Sequence, residues 1–96
     1  MITEQTVNAT RKLYNKMFAD YFPPCVRVSN LVKTKTIEVL RKYGRKKVCI
    51  LFRFILSEIR LYGMDKFRFF SFSYLMTNFA PLLYSAYYHR KERELL

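Results

Sequence analysis

From Arg45 to Tyr62 a large apolar side chain returns every three or four residues. Val48, Leu51, Phe52, Ile55, Leu56, Ile59 and Tyr62 share one broad face and Arg53, Ser57 and Arg60 lie opposite, the pattern of an amphipathic helix with one side in a core. Gly63 closes this helix, and Gly44 stands just before it, where a left-handed cap would end a helix upstream. The chain has only these two glycines, and with three prolines they leave few sites for tight turns and hairpins. The expectation is an all-α fold of three to four helices, extended or loosely bundled. Partners should stabilise it, because 96 residues bury little apolar surface on their own.

The flanking elements follow from the same rules. Thr3 caps a first helix with Glu4 in its first turn, Val7, Tyr14, Met17, Phe18 and Tyr21 recur at helical spacing, and Pro23-Pro24 stops it. Leu31 to Tyr43 is rich in β-branched residues, yet helix is favoured over strand, with Ile37, Leu40 and Tyr43 on one face. Asp65 is expected to cap a last helix that runs into Pro81 and continues, kinked, to about Glu94. Phe69 to Tyr88 carries no charge over twenty positions, enough to span a bilayer. Ser71, Ser73, Thr77, Asn78, Pro81 and Ser85 interrupt it, so a protein-buried helix is expected before a membrane span.

Charge decides the class of partner. Eighteen Lys and Arg against seven Asp and Glu give a net charge of +11, which repels itself until an anion neutralises it. With 51% hydrophobic and 18% aromatic residues the chain is too apolar for a disordered basic tail. RNA is the first expected partner and anionic lipid the second. The working surface is the run Lys33, Lys35, Arg41, Lys42, Arg45, Lys46 and Lys47, opposed by Glu38 alone, with Tyr43 placed among them to stack on a base. On a regular helix Arg41, Arg45 and Lys46 would project from consecutive turns, about 5 to 6 Å apart, a spacing that can meet successive phosphates. Phe67, Phe69, Phe70, Phe72, Tyr74 and Phe79 are too many aromatics for so small a core, so a protein interface is expected there. The chain thus reads as one small helical domain over residues 1–96, with a basic RNA-facing half (1–47) and an aromatic packing half (48–96).

No chemistry is expected. There is no nucleophile elbow, phosphate-cradling glycine loop or usefully spaced carboxylate pair, so the chain reads as no enzyme and as needing no cofactor. Cys25, Cys49 and His89 lack the close pairing of a metal site. The two thiols are expected as reduced, small buried hydrophobes, although their spacing decides nothing for or against a disulfide. The first ten residues hold Glu4 and no basic residue, so no secretory signal is expected. Val7 to Phe22 is amphipathic and basic with Asp20 as its one acid, the texture of an internal targeting address and equally of any surface helix.

Two family resemblances bear on function. Lys16-Met17-Phe18, the Pro-containing turn Phe22-Pro23-Pro24 with Arg27, the run Val39-Leu40-Arg41-Lys42, then Gly44, Lys47-Val48 and Leu51-Phe52 resemble the mitochondrial small-subunit ribosomal protein family numbered thirty-three. The likeness covers residues 16–52. It departs at the C-terminus, where that family carries a Gly- and Lys-rich tail and this chain has aromatic residues and Arg90-Lys91-Glu92-Arg93. Leu51-Phe52-Arg53, followed by Glu58, Arg68 and Phe79, is similar to the Leu-Tyr-Arg motif family of small mitochondrial helical proteins, with Phe in place of Tyr and the motif far from its usual N-terminal position. Members of that family are accessory subunits or assembly factors of respiratory complexes, and some hold an acyl chain in the helical core.

The first resemblance implies a structural protein of the mitochondrial ribosome's small subunit, in the matrix, bound to ribosomal RNA and neighbouring ribosomal proteins and not a free monomer. The second implies an accessory helical subunit of a mitochondrial membrane complex, respiratory or ATP synthase, at the inner membrane. A lipid neighbour is the weaker expectation of the two.

Overall fold

Glu4 opens α1 (Glu4–Met17) in the turn where the helix dipole favours an acid. The computed structural model describes the backbone of residues 4–95 and the side chains of residues 4–89, so the expected cap Thr3 lies outside the described residues. Val7, Thr10, Tyr14 and Phe18 bury one stripe of α1, and Thr10 satisfies its hydroxyl by donating to the Thr6 carbonyl at 2.9 Å. Turns continue through Phe18 N–H to Tyr14 C=O and Phe22 N–H to Phe18 C=O, both 2.9 Å. Pro23-Pro24 then end them, as neither offers an amide hydrogen. The following loop is tied back to α1. The Asn15 carboxamide accepts from the Cys25 N–H at 2.7 Å and donates to its carbonyl at 3.0 Å, and the Arg11 guanidinium donates to the same carbonyl at 2.6 Å. Cys25 and Cys49 are free thiols, each half-buried.

Ser29, extended and accepting the Val32 N–H at 3.2 Å, caps α2 (Asn30–Tyr62). Its first arm, 30–43, is helical despite its β-branched residues. Thr34 and Thr36 donate back to the Asn30 and Val32 carbonyls at 3.0 and 2.7 Å, so neither hydroxyl pulls the backbone out of the helix. The buried face is Val32, Thr36, Val39 and Leu40 rather than Ile37, Leu40 and Tyr43, because Thr36, its hydroxyl satisfied locally, sits fully buried while Ile37 and Tyr43 are half-covered. At Gly44 the backbone leaves helical space (φ 81°, ψ 169°), and a second arm, 45–62, starts at once. There Val48, Leu51, Phe52, Ile55, Leu56 and Ile59 are buried as their spacing predicts, and Tyr62 alone of that face is exposed. Gly63 (φ 82°) closes the arm by donating its N–H to the Ile59 carbonyl at 2.8 Å.

Past Gly63 the structure departs from the expected single helix. Asp65 caps no long helix but opens a 3-10 turn (Asp65–Phe67), and the next helix is set by Ser71, which accepts the Tyr74 N–H at 3.2 Å. That helix, α3 (Phe72–Thr77), lasts under two turns. The Asn78 side chain and N–H both donate to the Tyr74 carbonyl at 3.0 Å, which ends α3, and α4 (Phe79–Leu95) begins immediately. Pro81 falls in the first turn of α4, where a missing N–H costs nothing, and so starts a helix instead of kinking one. Among the described residues no helix is long and apolar enough to cross a membrane.

The four α-helices of the described residues serve one core. α2 touches each of the others, and Tyr14, Phe18, Phe52 and Phe72 form its aromatic centre, with Tyr14 5.6 Å from Phe72 and Phe18 edge-on to Phe52 at 5.6 Å. The radius of gyration, 13.3 Å, is about that of a compact domain this long. Tyr14 is a titratable group buried in this centre. Its hydroxyl donates to the Phe70 carbonyl at 3.2 Å, and burial, with a smaller contribution from the Cys25 thiol, pushes its pKa up to about 12. In the unfolded chain a tyrosine titrates at about 10. Tyr14 therefore leaves stability intact below pH of about 10 and erodes it as pH climbs towards 12, since only the unfolded chain releases this proton in that window. A tyrosine absorbance titration should show a step near 12 that Tyr14→Phe removes; a Tyr14→Phe chain that keeps the step would contradict the assignment.

Candidate nucleic-acid interface

The basic run lies on both arms of α2 and straddles Gly44. Three of its members already have partners. Lys33 pairs with Glu4 at 2.7 Å, which joins the start of α1 to α2 and, through that hydrogen bond and then the charge, holds the Glu4 carboxyl below its usual range. Lys35 lies 3.6 Å from Glu38. Lys47 hydrogen-bonds the Tyr87 hydroxyl and sits 4.6 Å from the centre of that ring, which ties α2 to α4. Exposed ion pairs of this kind add little stability and are screened by salt, so Lys33 and Lys35 stay open to a stronger anion. Lys47 is committed to the fold.

Arg41, Lys42, Arg45 and Lys46 remain. All four are exposed, and no carboxylate among the described residues pairs with them. The break at Gly44 corrects the expectation of one straight row, because the helical register that would stack Arg41 under Arg45 is lost at φ 81°. Lys42 instead borders a cleft with Met76, Phe79 and Pro81, whereas Arg45 borders α1 beside Thr10 and Leu13. Lys42 and Arg45, on either side of the break, thus border different sides of the domain. Tyr43 is not a free stacking platform: its ring lies 5.1 Å from that of Phe79, half-buried, with the Lys42 ammonium 5.4 Å from its centre.

The expected aromatic interface divides. Phe72 and Phe79 are buried in the core, 1% and 2% exposed, and cannot meet a partner. Phe72 opens α3 and Phe79 opens α4, and both pack into the core around α2. Phe67 and Phe70 are half-buried, edge-to-face at 5.1 Å. Phe69 and Tyr74 are exposed, and Tyr84 and Tyr88 on α4 join them.

No family model, curated protein or solved structure matches this chain. Its function is therefore argued from these side chains and from one more feature that sequence reasoning missed. A groove of about 550 Å³ runs between the second arm of α2, the 3-10 turn and α4. Leu51, Phe54, Ile55, Phe67, Phe70 and Leu82 give it apolar walls, and Glu58, Lys66, Ser85 and His89 add polar groups. The signal in the sequence was Phe54, an aromatic residue beside the main apolar stripe, which stacks on His89 at 6.1 Å.

Proposed function

We propose that this chain is a structural RNA-binding subunit of the mitochondrial ribosome's small subunit, held to ribosomal RNA by Arg41, Lys42, Arg45 and Lys46, with Lys33 and Lys35 recruited from their weak ion pairs. The observation that carries the reading is the set of four exposed cations on both sides of one backbone break, none of them paired with a carboxylate among the described residues. Lys42 and Arg45, which border different sides of the domain, suit the phosphates of a folded RNA, which approach from more than one direction, and contacts of this kind position without reading sequence. The resemblance of residues 16–52 supports the ribosomal assignment, and the exposed tyrosines Tyr74, Tyr84 and Tyr88 offer neighbouring proteins their contact.

Reversing Arg41, Arg45 and Lys46 to Glu together is expected to abolish binding to a structured RNA in near-physiological salt and to flatten the salt dependence by about one unit of slope per lost phosphate contact. Filter binding across a salt series measures both. An unchanged slope would remove these residues from the interface. In a detergent extract of mitochondria the protein should sediment with small-subunit ribosomal RNA and lose that association on ribonuclease treatment.

The groove favours a second reading, an accessory helical subunit of a mitochondrial membrane complex. It begins at Leu51 of the Leu51-Phe52-Arg53 triplet, and its walls suit an acyl chain. Co-sedimentation with a respiratory or ATP synthase complex, indifferent to ribonuclease, would select it.

A further inference from the structure

The second arm of α2 ends in a corner unlike the rest of the surface. Within residues 60–69 Leu61 is 63% exposed, Tyr62 62% and Phe69 78%, and Arg60, Lys66 and Arg68 are exposed between them with Asp65 as the only acid. The Lys66 ammonium lies 5.7 Å from the centre of the Tyr62 ring, so the turn folds back on the helix end and the two form one patch. Part of its backbone is paired internally. Gly63 N–H donates to Ile59 C=O, Phe67 N–H to Met64 C=O, Phe70 N–H to Phe67 C=O and Ser71 N–H to Phe69 C=O, all at 2.8 to 3.0 Å. Such a corner is already folded, so little chain must be ordered when it docks.

We infer that this corner docks on an anionic lipid surface, with Leu61, Tyr62 and Phe69 entering the headgroup and acyl boundary and Arg60, Lys66 and Arg68 meeting lipid phosphates. Net positive charge complements the anionic leaflet, and the mixture of aliphatic, aromatic and basic side chains is the one that such interfaces take. Leu61 argues against RNA as the occupant, since an aliphatic side chain has no face on which a base stacks. The corner and the Gly44 cations stand at opposite ends of an 18-residue arm, about 27 Å apart along its axis. Lipid docking is thus independent of RNA binding, and a bridge between RNA and membrane would rest on both.

The chain has no tryptophan, so Phe69→Trp makes a single reporter, with Tyr84→Trp on α4 as its control. Each full-length variant is mixed with phosphatidylcholine vesicles containing 30 mol% phosphatidylglycerol and acyl-brominated phosphatidylcholine, without RNA. Expected are a blue shift and quenching of the indole in the Phe69→Trp chain but not in the Tyr84→Trp chain. The vesicle partition coefficient should fall roughly tenfold or more when Leu61→Ser and Phe69→Ser are combined. Adsorption through net charge alone would leave both reporters unquenched and overturn the inference. So would quenching of the Phe69→Trp reporter by an RNA oligonucleotide with none by lipid, or a blue shift without lipid that fades on dilution, the mark of a second copy of the chain.

Discussion

Gly44→Ala is expected to unmake the tertiary fold while leaving the chain helical. Gly44 has φ 81° and ψ 169°, a region essentially reserved for glycine, and a Cβ built there meets no atom within 4 Å. The penalty is therefore wholly in the backbone, about 1 to 3 kcal/mol if the break is kept. Alanine has a cheaper alternative, the right-handed helix, which it favours over glycine by about 1 kcal/mol. Taking it fuses both arms of α2 into one straight helix of 33 residues, about 50 Å long, beyond the domain's longest extent of 42 Å. The two arms could not then share one core. Small-angle scattering should show a radius of gyration well above 13.3 Å, with far-ultraviolet circular dichroism little changed and the cooperative melt lost. Gly63→Ala is the matched control, strained alike at φ 82° but at a helix end, so it should lower the melting temperature without changing the shape. A Gly44→Ala chain as compact as the wild type and melting at the same temperature would show that the break is not what folds the domain.

Phe52→Ala should be nearly as damaging by a different route. Phe52 is fully buried on the second arm of α2, edge-on to Phe18 at 5.6 Å and to Tyr14 at 6.0 Å, so it joins α1 to α2. Removing such a ring costs about 3 to 5 kcal/mol, while whole domains are stable by about 5 to 15 and one this small belongs near the bottom of that range. Near-ultraviolet circular dichroism should collapse at physiological temperature, and Phe52→Leu should recover much of the loss. Phe69→Ala, on a 78% exposed side chain, should shift stability by no more than about 0.5 kcal/mol. If Phe52→Ala costs under about 1 kcal/mol, the aromatic centre is not what holds α1.

What can be read from sequence is whatever depends on neighbours in the chain. The face from Val48 to Ile59 and its stop at Gly63 follow from periodicity and backbone freedom, and the structure keeps both. Thr36, being polar, does not announce itself as core; its bond to the Val32 carbonyl, a local event, is what makes its burial cheap. Ser71 and Asn78 read as interruptions of an apolar stretch, whereas each is punctuation that cuts the chain into α3 and α4. The density of the charge run is visible in sequence, but which cations are spoken for is not. Glu4 lies 29 residues from Lys33, and Tyr87 lies 40 from Lys47. The groove is likewise a gap between elements that only tertiary packing brings together.

The hydrogen bond from Tyr14 to Phe70 spans 56 residues, and it imposes an order on the molecule's birth. At a synthesis rate of roughly 5 to 20 residues per second, about 3 to 11 seconds separate the appearance of these two residues. For the first part of that interval, until the second arm of α2 follows, the apolar stripe of α1 has at most the first arm for company, and Phe18 waits for Phe52. The nascent chain therefore passes through a stage in which its earliest helix is sticky and its lock is still unmade, a stage at which a chaperone or an early-arriving partner would find its opening.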